Sequence, residues 1–210
     1  MTFSPRPLLF LLALAACSTA AVPPVEALRD QAPAPALAVA PLAGQRVPVL
    51  PLTLLSVEAP IDEQLPGERA ERLEWADRII ADVLLSRGPE VTWVLPPELR
   101  AVARRAPATV TDPDRMGQAL MRSGNLEIVP DPLRSYLRSL TAMTESRLVL
   151  IPAAVRLEPD STGGIRAETA MVLIDSRNGA VLWRSNPVVH ASSARGALTA
   201  SIAHILPDIE

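Results

Sequence analysis

The sequence is poor in the side chains from which many active sites are built. Its 210 residues include one cysteine and two histidines, and all twenty basic side chains are arginine, so lysine is absent. A single cysteine excludes an internal disulfide bond. The arginines are scattered along the chain, and we interpret the lack of lysine as a bias of genome composition. The net charge of −3 gives no electrostatic support for binding nucleic acid or an anionic membrane surface, so no nucleic-acid partner is expected.

Patterns typical of catalysis or metal binding are missing as well. His190 and His204 have no neighbours at the spacing that a metal site requires. No Gly-x-Ser-x-Gly motif is present, and Gly163-Gly164 does not lead from a strand into a phosphate-binding helix. The sequence therefore predicts a protein with no catalytic residues, no metal and no cofactor.

The only cysteine follows an apolar run near the N terminus. Leu8 to Leu14 comes after a short start carrying Arg6 and is too short to span a bilayer, which is typical of a secretory signal peptide. The residues Leu14-Ala15-Ala16-Cys17 resemble the lipobox of bacterial lipoproteins. This resemblance implies cleavage after residue 16 and acyl chains, including palmitate, on Cys17. Two or more acyl chains anchor a protein stably, so the membrane is an expected partner.

Ser18 follows the expected lipidation site, where an aspartate would indicate retention in the inner membrane of enterobacteria. The resemblance thus favours the outer membrane, with the protein facing the periplasm. Residues 17–45 are rich in alanine and proline, which predicts a tether that holds the domain several tens of Å from the membrane. The alternative is that Leu37 to Leu42 packs on the edge of the domain.

Residues 46–210 predict a single α/β (α+β) sandwich domain. The expected order is β-α-β-α-α-β-β-β-α, with a mixed sheet that ends in a three-strand antiparallel meander. The first strand, 46–55, contains Pro48 and Pro51, so it is either an edge strand or one whose ladder is broken. The remaining predicted elements are a helix over 68–87, a strand over 91–95, helices over 98–105, 111–123 and 131–145, a short strand over 126–129, strands over 147–157, 165–174 and 180–191, and a helix over 193–206.

Several side chains are expected to begin or end these elements. Asp112 and Asp131, each followed by proline, predict N-caps, and Ser193 predicts the cap of the last helix. Gly88 predicts the end of the long helix. Asn178-Gly179 lies between two apolar runs and predicts a tight hairpin turn.

The first hairpin of the meander carries the candidate partner contacts. Near its turn, Arg156 and Glu158 alternate with apolar residues, as do Arg166 and Glu168 on the return strand, which predicts one solvated face. Farther from the turn, residues 148–151 and 171–174 are apolar throughout, so both faces should be covered. Trp183, expected on the same strand face as Val181 and near a sheet edge, completes the set of candidate contacts.

Three segments carry a family resemblance. Val47 to Leu54 resembles the first strand of the TolB N-terminal domain and of CsgG-like curli-secretion lipoproteins. Asp131 to Ile151 is similar to their helix-then-strand segment, although Glu145-Ser146-Arg147 replaces the usual Gly-Ala-Asp. Asp175 to Trp183 resembles their hairpin. A related fold occurs in lipoprotein activators of peptidoglycan synthases.

The resemblance implies an envelope module without catalytic residues that works through protein partners. The main functional hypothesis is therefore a lipid-anchored periplasmic assembly or adaptor protein that binds an envelope protein or another copy of itself. One alternative is a binding protein for a small envelope ligand, a lipid or a glycan. Another is an envelope hydrolase, which would require His190 or His204 buried beside a carboxylate and a nucleophile. A secretion channel is not expected, since the alternating segments of transmembrane hairpins are missing.

Overall fold

The computed structural model describes residues 34–206. The predicted signal peptide, the lipobox-like residues, Cys17 and most of the predicted tether lie outside these residues, and so do residues 207–210. Within 34–206, no helix combines the length and the apolar character needed to cross a membrane.

The described chain is a mixed α/β fold with an open sheet, which confirms the predicted fold class. Short 3-10 helices cover Ala40–Leu42, Ile61–Gln64, Pro113–Arg115 and Gln118–Arg122. The strands and helices, in chain order, are β1 (Arg46–Pro48), β2 (Leu55–Val57), α1 (Arg69–Arg87), β3 (Thr92–Val94), α2 (Pro96–Arg105), α3 (Leu133–Met143), β4 (Leu148–Pro159), β5 (Ile165–Asp175), β6 (Val181–Ser185), β7 (Val188–Ala191) and α4 (Ala194–Ile205).

The antiparallel hairpin of β4 and β5 is the centre of the sheet. Strand β2 lies parallel to β4, while β5 pairs with β6 over 171–174 and with β7 over 165–168. Strand β1 pairs with β3 in parallel, and a single parallel bridge from Val49 to Leu150 connects β1 to β4. The sheet is therefore parallel on one side of the hairpin and antiparallel on the other.

The first predicted strand is broken in the middle, as its prolines indicated. Strand β1 ends at Pro48, Val49 and Leu50 still contact Leu150, and the next strand begins only at Leu55. Between them the Leu52 N–H donates to the carboxylate of Asp77 over 2.8 Å instead of to another strand. A side chain of α1 thus replaces the missing ladder partner.

Helices cover both faces of the sheet at the end away from the hairpin turn. Leu148 and Leu150 belong to a core shared with α1 and α4, whereas Val149 and Ile151 belong to a second core shared with α2 and α3. This alternation follows from the period of two along a strand. It confirms the prediction that residues 148–151 are covered on both sides.

Helix α1 begins and ends where its sequence indicates. Glu68 and Glu71 form a reciprocal capping box, and Gly88 is the C-cap. Its buried apolar side chains follow one stripe along the helix: Trp75, Ala76, Ile79, Ile80, Val83 and Leu84.

Two of the three predicted aspartate and serine caps are confirmed. Asp112 accepts from the Asp114 N–H over 3.1 Å, and Ser193 accepts from the Gly196 N–H over 3.1 Å. The prediction for Asp131 is wrong, because Pro132 is the N-cap of α3 and makes no side-chain cap. The Asp131 carboxylate instead accepts from the Arg134 guanidinium over 2.8 Å.

The predicted helix over 111–123 is also wrong. Two short 3-10 helices replace it, and Gly117 separates them with a φ of 85° that no α-helix contains. The predicted strand over 126–129 is reduced to one isolated bridge between Ile128 and Ala180.

The last predicted strand is divided into β6 and β7 by Asn186-Pro187. A bulge in β6 pairs Trp183 with Leu173 and Val181 with Ile174, which leaves Leu182 as the extra residue. Trp183 and Val181 consequently pack against opposite cores. The prediction that they share one strand face is therefore wrong, and Leu182 is 53% exposed.

The end of the Ala/Pro-rich segment packs on the domain, which was the alternative interpretation. Leu37, Val39 and Leu42 are buried in the core shared with α1 and α4. The Leu37 N–H donates to the Ile205 carbonyl oxygen over 2.8 Å, which joins the segment to the end of α4.

Candidate functional site

Near the turn of the β4–β5 hairpin, only one face of the sheet is covered. Val155, Leu157, Ile165 and Ala167 are buried in the core shared with α1 and α4. The intervening residues project from the other face and are half-buried or exposed: Arg156, Glu158, Arg166 and Glu168. The predicted solvated face is therefore present. We call these four residues, with their cross-strand neighbours Ser56, Val188 and His190, the open sheet face.

The strand register arranges the open sheet face in two rows. One row runs across four strands and contains Ser56, Arg156, Glu168 and Val188. The second runs across three strands and contains Glu158, Arg166 and His190. Opposite charges are therefore neighbours both across the strands and along them.

The four charged side chains form a closed network of ion pairs. Arg166 lies 2.8 Å from Glu158 and 3.3 Å from Glu168, measured between guanidinium nitrogen and carboxylate oxygen. Arg156 lies 3.6 Å from Glu158 and 3.8 Å from Glu168. Each exposed pair contributes little stability, about 0 to 1 kcal/mol. The network has no net charge, so it offers a partner a pattern of alternating charge rather than a general attraction.

A shallow hollow of about 130 Å³ adjoins the open sheet face. Arg122 lines it together with Arg156 and Glu168. The Arg122 guanidinium donates to the Ala153 carbonyl oxygen over 3.1 Å, which holds this third arginine at the edge of the face. No sequence pattern indicates Arg122 as a member of this site, since its segment predicts an ordinary helix.

The tip of the hairpin is tied to β7 by a histidine and an aspartate. His190 Nδ1 lies 2.7 Å from Asp160 Oδ2. Asp160 also accepts from the Thr162 N–H over 3.2 Å, and these two hydrogen bonds, that of Thr162 first, lower the pKa of the Asp160 carboxyl. In the sequence His190 has no neighbour that indicates a site, because Asp160 is thirty residues away. The pairing of β5 with β7 places His190 opposite Arg166, near the hairpin turn that contains Asp160. This strand pairing brings His190 and Asp160 together.

Neither histidine is buried beside a carboxylate and a nucleophile, as a hydrolase site would require. The His190 side chain is 54% exposed in a shallow hollow beside Gly163, Gly164 and Ser192, and His204 is exposed on α4. Between residues 34 and 206, no group of three or more His, Cys, Asp and Glu side chains is placed to hold a metal ion.

Trp183 lies apart from the four charged candidates. Its ring packs against the core shared with α1 and α4, on the other side of the sheet from the open sheet face. Its indole Nε1 donates to the Ala36 carbonyl oxygen over 3.1 Å. Four of the five candidate contacts therefore lie together on the open sheet face, while Trp183 lies on the other face of the sheet beside Ala36.

Comparisons with known proteins find similarity only at the level of structure. No protein-family model matches the chain, and no curated protein matches it. A PelC dodecamer from Paraburkholderia phytofirmans is 20% identical, with a TM-score of 0.42 over 85% of this chain and 96% of that chain. The LpoB C-terminal domain from Escherichia coli is 15% identical, with a TM-score of 0.40 over 70% and 84%. The lipoprotein GNA1162 from Neisseria meningitidis is 13% identical, with a TM-score of 0.35 over 71% and 82%.

Similarity at this level assigns no activity. The resemblance of three segments to TolB and CsgG-like proteins stays a prediction, as does the lipobox at Cys17.

Proposed function

We propose that the protein is a lipid-anchored, non-enzymatic module of the bacterial envelope that faces the periplasm from the outer membrane. It acts as an assembly or adaptor protein by binding another envelope protein. The observation that carries this proposal is the open sheet face: a sheet otherwise covered by helices leaves four ion-paired side chains uncovered at one end. The lipobox-like sequence at Cys17 supports the location.

The open sheet face suits protein recognition better than catalysis. Strands hold Arg156, Glu158, Arg166 and Glu168 in a rigid register, so their spacing is preset before a partner arrives. A partner with the complementary order of charges exchanges these ion pairs for its own, while one with the wrong order places like charges together. The open sheet face therefore selects a partner by the arrangement of the partner's charges.

Photocrosslinking in the intact envelope tests the proposal. A photocrosslinking amino acid replaces Val188 or Ser56, which flank the charges without belonging to the network. Thr199, exposed on α4 on the opposite side of the sheet, is the matched control position. We expect a discrete crosslinked protein from Val188 and Ser56 and none from Thr199. Equal crosslinking from all three positions, or none from any, would contradict the proposal.

A further inference from the structure

A second candidate surface lies at the carboxyl end of β3, on the side of β4 that faces away from β5. Strands β1 and β3 are parallel, but α1 packs with one core and α2, which follows β3, packs with the other. The two helices therefore separate beyond the carboxyl end of β3. A crevice of about 400 Å³ opens between them, in the kind of position where ligands of α/β sheets usually bind.

The lining of this crevice is largely apolar. Leu85 on α1 is 51% exposed and belongs to neither core. Leu95, the N-cap of α2, and Pro96-Pro97 in its first turn face it across the crevice, and Ala81 leaves space at the helix surface. These residues provide a binding surface for one apolar side chain of an incoming molecule.

The charges around the crevice have a small negative excess: with Asp114, which Arg100 contacts, four carboxylates accompany two guanidinium groups, and one of these, Arg78, lies between Glu74 and Asp82 on α1. Glu74, Asp77 and Asp82 line it together with Arg78 and Arg100. Arg100 is already engaged, because its guanidinium makes two hydrogen bonds of 2.8 Å to Asp114 and one of 3.4 Å to Asp77. Arg100 therefore adds little positive field to the crevice.

Glu74 and Asp82 make no ion pair with any side chain that the structure describes. Both are exposed, and they lie two turns apart on α1. At 1.5 Å per residue, their backbones are about 12 Å apart along the helix. One small cation cannot contact both carboxylates across this distance. Two cationic side chains on an extended peptide can each contact one of them.

We propose that the crevice between α1 and α2 binds a cationic segment of a partner protein. An apolar side chain of the segment packs against Leu85 and Pro96-Pro97, and its arginine or lysine side chains pair with Glu74 and Asp82. A second copy of this chain is a poorer occupant, since two copies with a net charge of −3 repel each other. The surface shares no residue with the open sheet face, so the two proposals stand separately.

The test uses a defined peptide and the full chain in phosphatidylcholine nanodiscs. The probe is an extended fluorescent heptapeptide with arginines at positions 1 and 5 and a leucine at position 7, because Leu85 lies about one turn beyond Asp82 on α1. Its control carries glutamates in place of the arginines. Fluorescence anisotropy should show binding of the arginine peptide alone. Raising the salt concentration should weaken this binding, because the contacts at the rim are ionic.

Substitutions in the crevice then test where the arginine peptide binds. The double variant Glu74→Gln/Asp82→Asn and the single variant Leu85→Ser should each weaken binding about tenfold, corresponding to about 1.4 kcal/mol. The double variant Glu63→Gln/Glu127→Gln removes the same charge from exposed residues outside the crevice and should bind normally. Equal binding of both peptides, or unchanged binding by the variants of Glu74, Asp82 and Leu85, would overturn the proposal. A change in oligomeric state caused by the rim variants would assign the crevice to a second copy instead, which also overturns it.

Discussion

Trp183 and Ala36 lie 147 residues apart in the sequence and are joined by a hydrogen bond of 3.1 Å from the indole Nε1 to the carbonyl oxygen. Together with the bond between Leu37 and Ile205, this contact determines where the chain from the N terminus meets the domain. The tryptophan thereby holds the end of the Ala/Pro-rich segment against the sheet.

The first prediction concerns this attachment. Trp183→Phe keeps the aromatic ring and removes the donor, so we expect the free energy of unfolding to fall by about 1 kcal/mol. Hydrogen exchange at the Leu37 amide should become faster, and limited proteolysis should cut near residues 36–42. The control is Leu182→Ala on the same strand, whose side chain is exposed and should leave the Leu37 amide unchanged. Unchanged exchange in Trp183→Phe would show that the bond does not hold the segment.

The second prediction concerns the buried carboxylate of Asp77. Burial raises its pKa from 3.8 to about 6, an effect only partly offset by the Leu52 N–H and Arg100. Between these two values the folded state binds a proton that the unfolded state has lost, so stability falls as pH rises. The shift corresponds to about 3 kcal/mol.

The variant Asp77→Asn isolates this effect, because the amide oxygen still accepts from Leu52 but cannot ionise. Denaturant unfolding from pH 4 to pH 7.5 should show the wild type losing about 2 to 3 kcal/mol relative to the variant. The other carboxylates titrate in both proteins and cancel in the difference. A difference that does not change with pH would mean that Asp77 titrates near its ordinary value.

The third prediction separates stability from recognition at the open sheet face. Arg166→Glu places three carboxylates together and should lower the free energy of unfolding by about 1 kcal/mol. Adding Glu158→Arg restores opposite charges across the strands but leaves like charges side by side along each strand, so the double variant should recover only part of that stability. The charge order of the pair at positions 158 and 166 is nevertheless reversed, and crosslinking through Val188 should remain low. Crosslinking at the wild-type level in the double variant would show that the partner does not read the order of charges.

The fourth prediction concerns the anchor. Cys17→Ser removes the thiol that acylation requires, so the protein should lose incorporation of labelled palmitate and move from the outer-membrane fraction to the soluble periplasmic fraction. Ser18→Ala should change neither result. If the cysteine variant still fractionates with the outer membrane, the lipobox interpretation is wrong.

Much of the fold could be derived from local patterns. A hairpin turn that contains Asn178-Gly179 forms as expected, although its loop covers the four residues between Asp175 and Ala180 and only Gly179, at a φ of 77°, has a positive φ. The break in the first strand follows from its prolines. The two-sided burial of residues 148–151 and the single solvated face near Arg156 follow from the period of two along a strand. In each case the signal lies within a few residues of the feature that it predicts.

The sequence by itself determined the order of most elements and which end of the hairpin is solvated, because backbone conformation and side-chain alternation are set by neighbouring residues. Only the tertiary structure decided which distant groups meet. The bulge at Leu182 placed Val181 and Trp183 on opposite faces of the sheet. Asp77 accepts a hydrogen bond from the Leu52 amide between β1 and β2, and His190 contacts Asp160. These contacts depend on strand register and helix position. They arise from the packing of the two cores, and no local window of the sequence contains that information.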